Sequence, residues 1–77
     1  MKVLYISYDG ILEPLGFSQV FRYLEKISSK QIEITLITFE KKINLKDKEK
    51  LNELKQLNTK SNINWYYFVY HKNPEII

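Results

Sequence analysis

Lys2-Val3-Leu4-Tyr5-Ile6-Ser7-Tyr8, followed at once by the turn pair Asp9-Gly10, sets the architecture from the start of the chain. Its two alternating sets of side chains are both mainly apolar, Val3 and Tyr5 on one side and Leu4, Ile6 and Tyr8 on the other. A half-exposed strand would alternate apolar with polar, so this pattern reads as a strand covered on both faces. Beyond the turn comes a loop with Glu13-Pro14-Leu15-Gly16. Phe17, Val20, Phe21, Leu24 and Ile27 then recur at helical spacing, with Arg22, Glu25, Lys26 and Ser29 off the stripe. Ile32 to Phe39 is a second strand, β-branched at five of eight positions, and Glu40-Lys41-Lys42 ends it. Asn44 is placed to cap a second helix with Asp47 in its first turn, and Leu51, Leu54 and Leu57 form a narrow apolar stripe on it. Ser61-Asn62 breaks that pattern. Ile63 to Tyr70 is a third strand, closed by Asn73-Pro74.

Strand, helix, strand, helix, strand implies right-handed parallel crossovers. The predicted class is α/β, a β-α-β-α-β half of a Rossmann-like parallel sheet with local strand order 3-2-1. Two crossovers travelling in one direction put both helices on the same sheet face. The other face, with aromatics of the third strand, is then left bare, as is the outer edge of the first strand. The chain is therefore expected to self-associate or to be the amino-terminal part of something larger.

Composition narrows the function classes. The chain has 77 residues, 44% apolar and 27% charged, the balance of a soluble globular domain. At this size only roughly 60% of the unfolded surface is buried, so staples or partners matter. There is no Cys, and His71 is the one His, so neither a disulfide framework nor a Cys/His metal site is expected. No apolar run reaches the ~18–20 residues of a membrane span, and the amino terminus does not read as a signal peptide, which points to the cytoplasm. The net charge is +3. Seven Lys against three acids in residues 41–60 account for it, a solvated helix face or one resting near anionic lipid. Arg22 is the sole Arg, which argues against a nucleic-acid reader.

The segment from Ser7-Tyr8-Asp9-Gly10 to Pro14-Leu15-Gly16-Phe17-Ser18-Gln19-Val20 joins the carboxyl end of the first strand to the first helix. Open α/β sheets bind ligands at such ends, and a Gly at a helix start lets backbone approach a phosphate. On residues alone the choice lies between a phosphate site and a plain turn and cap. The segment Tyr5-Ile6-Ser7-Tyr8-Asp9-Gly10, with Pro14-Leu15-Gly16, Ser18-Gln19-Val20 and Tyr23-Leu24, and then Glu33 to Lys41, resembles the amino terminus of family 4 glycosyltransferases. These are retaining enzymes of GT-B architecture, and the likeness is to bacterial members that build cell-surface polysaccharides and glycoconjugates. Trp65-Tyr66 and Tyr70 to Pro74 are similar to their third strand and the loop after it.

The resemblance implies a nucleotide-sugar-dependent hexosyltransferase of two domains. Residues 1–77 would be a partial amino-terminal, acceptor-side domain, with the donor-binding carboxyl-terminal domain absent, and the chain alone inactive. Gly16, Ser18 and Gln19 would lie at the donor diphosphate or on the acceptor loop. No catalytic residue is assigned. No cofactor or metal is implied; the nucleotide-sugar is a substrate, and a glycan or lipid-linked acceptor suits a protein resting peripherally at the inner membrane face. The chain departs from the family pattern at Phe17, where a polar residue is usual, at Arg22, where Pro is common, and at Gln31-Ile32, where the turn lacks its Gly. The rival reading is a stand-alone, non-enzymatic α/β module that binds a protein partner through the bare face. A phospho-receiver is disfavoured, because Asp9 has no acidic neighbour and the third strand ends in Tyr70-His71. His71 itself has no acid nearby in sequence to orient it as an acid/base group. In the run Trp65-Tyr66-Tyr67-Phe68, strand spacing favours core packing over the stacking of sugars or bases.

Overall fold

The computed structural model describes residues 1–29 and 31–70. The chain is α/β: strands β1 (Lys2–Ser7), β2 (Glu33–Glu40) and β3 (Ile63–Val69) form one parallel sheet in the order β1-β2-β3. β2 is central, with Tyr5 opposite Leu36 on one side and Leu36 opposite Trp65 on the other. Asn73-Pro74, read as closing the third strand, and His71 lie outside the described residues.

The first crossover is one helical run over residues 14–27. It comprises α1 (Pro14–Gly16), a π-helical turn (Phe17–Phe21) and α2 (Arg22–Ile27). It begins earlier than the apolar stripe predicts. Pro14 occupies the first helical position, where its missing N–H costs nothing, and Phe17 N–H donates to the Glu13 carbonyl at 2.8 Å. In the π turn Arg22 N–H reaches back five residues to the Phe17 carbonyl. Phe17 packs on the core and stacks on Phe21 with centroids 5.0 Å apart, and the Arg22 guanidinium lies over its ring, which accounts for an apolar residue at that position. The run ends without a Gly: Ser28 turns to extended backbone, and Ile32 N–H donates to the Ser29 carbonyl.

The second crossover has a short α3 (Lys42–Leu45) and then α4 (Lys48–Lys60). The cap of the long helix is Asp47, whose side chain accepts from Lys50 N–H at 3.1 Å; Asn44 lies inside α3 and caps nothing. Asp47 wins because its carboxyl reaches the free N–H three residues on, as an N-cap must. At the far end Asn62 takes the left-handed φ of 60°. Its side-chain amide donates to the Ser29 and Ile32 carbonyls, tying the two helix-to-strand turns together.

All the helices that contribute to the core pack on one sheet face. Ile11, Leu12, Val20, Phe21, Leu24, Leu51 and Leu54 meet Ile34, Leu36 and Ile63 there, and all ten are buried. On β2 the inward parity runs Ile34, Leu36, Thr38, Glu40, each fully excluded from solvent. The opposite face carries Leu4, Ile6, Tyr66 and Phe68, each more than half exposed. The molecule is 17 Å thick, room for one sheet and one helical layer. No helix among the described residues is long and apolar enough to cross a membrane.

Candidate functional site

The carboxyl ends of the strands open on a cleft of about 710 Å³. Tyr8, Asp9 and Gly10 line it from the end of β1, Phe39 and Lys41 from β2, Tyr70 from β3, and Glu13 from the start of the helical run. Tyr8 stacks on Phe39 with centroids 5.2 Å apart and 24° between planes, so one wall is aromatic. The lining also includes the carboxyl groups of Asp9 and Glu13 and the ammonium of Lys41.

The loop that forms the floor is held by Glu40. Its side chain is fully buried, which would be costly without partners. Ile11 N–H donates to Oε2 at 3.0 Å and Leu12 N–H to Oε1 at 3.1 Å. The Thr38 hydroxyl donates to Oε2, and itself accepts from Trp65 Nε1 at 2.9 Å. Three donors, two from the loop and one from β2, thus converge on one carboxyl group, and the chain from Gly10 to Leu12 is pinned to the end of β2. Gly10 permits this: a Cβ there would overlap Glu40 Oε1.

Two loops meet at the rim. Lys41 Nζ lies 3.1 Å from Glu13 Oε2, and the Asn44 amide donates to the same oxygen at 3.4 Å. The Lys41 hydrogen bond holds the Glu13 carboxyl below its ordinary value of 4.5; partial burial opposes this, and the Lys41 charge and the Asn44 amide add to it.

Gly16, Ser18 and Gln19 lie elsewhere. Gly16 is buried with helical φ −63° and ψ −39°, and a Cβ on it would overlap the Gly10 carbonyl oxygen. It faces the back of the cleft loop, not the cleft. Ser18 is exposed and donates to the Leu15 carbonyl at 3.1 Å; Gln19 is exposed on the helix. None of the three lines the cleft. Sequence reasoning passed over Glu40, Glu13, Lys41 and Tyr70 as site residues. For Glu40 a signal existed: it continues the inward parity of Ile34, Leu36 and Thr38, and an acid at a core-facing position needs donors. Among the described residues no group of three or more His, Cys, Asp or Glu is placed to hold a metal ion.

No protein-family model, no curated protein and no solved structure matches this chain.

Proposed function

We propose that the chain is the acceptor-side part of a nucleotide-sugar-dependent, retaining glycosyltransferase of Rossmann-like GT-B architecture. It would act on a glycan or glycolipid-type acceptor in cell-surface polysaccharide or glycoconjugate synthesis. The observation that carries this reading is the cleft at the carboxyl ends of the parallel strands, the usual place for a ligand in such sheets. Tyr8, Asp9 and Gly10, which line it, belong to the segment with the family resemblance. Its chemistry suits a sugar: aromatic rings for the apolar ring face, Asp9 and Glu13 carboxyl oxygens for hydroxyls, and Lys41 for negative charge. Gly16 supports the site from behind by letting the helix approach Gly10, and on this reading Ser18 and Gln19 face the donor side in the whole enzyme. Transfer needs both substrates oriented together, so the chain alone binds without turning over.

The test is a titration of the isotope-labelled chain, followed by amide and aromatic NMR shifts, with nucleotide-sugars and with short oligosaccharides. Shifts at Tyr8, Gly10, Phe39 and Lys41 are expected. Silence at these residues with both ligand classes at millimolar concentration overturns the reading, and turnover by the 77 residues overturns the assignment as a part. A second reading, a non-enzymatic module binding a protein, is favoured by the exposed aromatic sheet face and predicts a silent cleft.

A further inference from the structure

A parallel sheet is almost always covered on both faces, because its crossovers place helices there. Here none of the described residues covers one of the two faces. Ile6 of β1, Ile37 of β2 and Tyr66 of β3 are register partners, Phe39 pairs with Phe68, and Leu4 lies one step toward the amino end beside Thr35. Tyr8 and Phe39 stack, and the Phe39 and Phe68 rings lie 5.9 Å apart, so the aromatics make a continuous row across the strands. Half-buried Ile37 and Phe39 fill the middle of the patch between the two exposed edge strands.

We propose that this face is the interface of a homodimer, its occupant being the same face of a second copy. Area is the first argument. Leu4, Ile6, Tyr8, Tyr66, Phe68 and Tyr70 are between 41% and 76% exposed. With ~150–250 Å² offered by each large side chain, they present on the order of 700 Å². That exceeds the few hundred Å² a monomer usually exposes and approaches the ~800 Å² per partner of a stable interface.

Charge is the second argument. Among the described strand residues, the face carries two charged side chains, Lys2 and Glu33, which are register partners at its amino end. A two-fold contact needs a self-complementary surface, and a patch with one charge of each sign meets that need. The lysines of α4 belong to the other layer and do not oppose one another across the contact. Two such sheets pack about 10 Å apart with strands aligned within roughly 30°. Tyr8, Phe39 and Tyr70 belong both to this face and to the cleft lining, so a dimer would also cover the aromatic wall of the cleft. The dimer does not rest on the glycosyltransferase reading, and Leu4 and Tyr66 lie on the face outside the cleft lining.

Sedimentation equilibrium of the 77-residue chain across a wide concentration range tests it, with Tyr66→Lys and Leu4→Lys on the face and Tyr23→Lys on the exposed side of α2. The parent and Tyr23→Lys should be dimers at high concentration. Each face variant should raise the dissociation constant at least about thirtyfold, the loss expected of a hot-spot residue. Far-UV circular dichroism establishes that a variant is folded, and the two face variants sit on different edge strands so that misfolding of one leaves the other. A parent that stays monomeric while binding a hydrophobic dye overturns the proposal, for the face then belongs to some other occupant. An unchanged constant in a folded face variant, or open-ended association without a dimer, overturns it too.

Discussion

Glu40 is the residue on which the cleft depends. Both of its oxygens accept, so Glu40→Gln replaces one acceptor with a donor that must face an N–H or the Thr38 hydroxyl. Leaving a buried donor unpaired costs about 1–3 kcal/mol. Thermal melts should show Glu40→Gln destabilised by that amount and Glu40→Ala by more, because alanine also opens a cavity. A Glu40→Gln melt equal to the parent would mean that Ile11 and Leu12 are held by something else. Gly16 makes a different point. Its φ is one that any residue adopts, so the constraint is space: the Gly10 carbonyl sits where a Cβ would go. Gly16→Ala should cost roughly 1–3 kcal/mol by overpacking, and Ser18→Ala should stay within about 0.5 kcal/mol. Equal melting temperatures for the two variants would refute the close approach. Glu13 gives the pH dependence. A carboxyl whose folded pKa is lowered adds stability above its ordinary value of 4.5, and that stability is lost as pH falls through the lowered value. Both partners are more than a third exposed, so the contribution is small. In an NMR titration Glu13 should titrate below the ordinary value, and Lys41→Met should move its midpoint upward.

At the scale of elements, Asp47 and Asn44 show what a sequence reveals and what it withholds. Asp47→Ala should destabilise by about 0.5–2 kcal/mol, the usual loss of an N-cap, and Asn44→Ala by much less. A reversal of that order in thermal melts would return the cap to Asn44. The strands were legible because apolar parity is a local property, and their ends agree with the structure to within a residue. The helix stripes are legible in large part: Val20, Phe21 and Leu24, with Leu51 and Leu54, become buried, Phe17 and Leu57 pack half-buried against the core, and Ile27 at the end of the first stripe stays exposed. The helix starts are not. Whether Pro14 begins a helix or a loop depends on the pinning of Ile11 and Leu12 by Glu40, a contact 28 and 29 residues distant. The same contact separates Gly16 from the cleft that the sequence places around it. A Gly before a helix suggests a ligand, and the neighbour that fills the space, the Gly10 carbonyl, is brought there only by the folded loop.

At the scale of the whole molecule, the sheet is the structural unit, and its three strands are not equivalent. β2 has a neighbour on each side, and its inward side chains from Ile34 to Glu40 are fully excluded from water. β1 and β3 are edges, and each turns a row of backbone groups outward. Amide hydrogen exchange measures this difference directly, because protection follows the hydrogen bond that must open. Amides should be protected continuously along β2, while in β1 and β3 slow and fast amides should alternate, the fast ones pointing away from β2. The pattern also tells the two modes of association apart. Contact through the aromatic face covers side chains and leaves the outward edge amides exchanging freely, even at concentrations where the chain is dimeric. Contact through an edge would instead add hydrogen bonds to that edge and slow those amides as concentration rises. Uniformly fast exchange in β2 would contradict its central position, and concentration-dependent protection confined to one edge would replace the face with that edge as the surface of association.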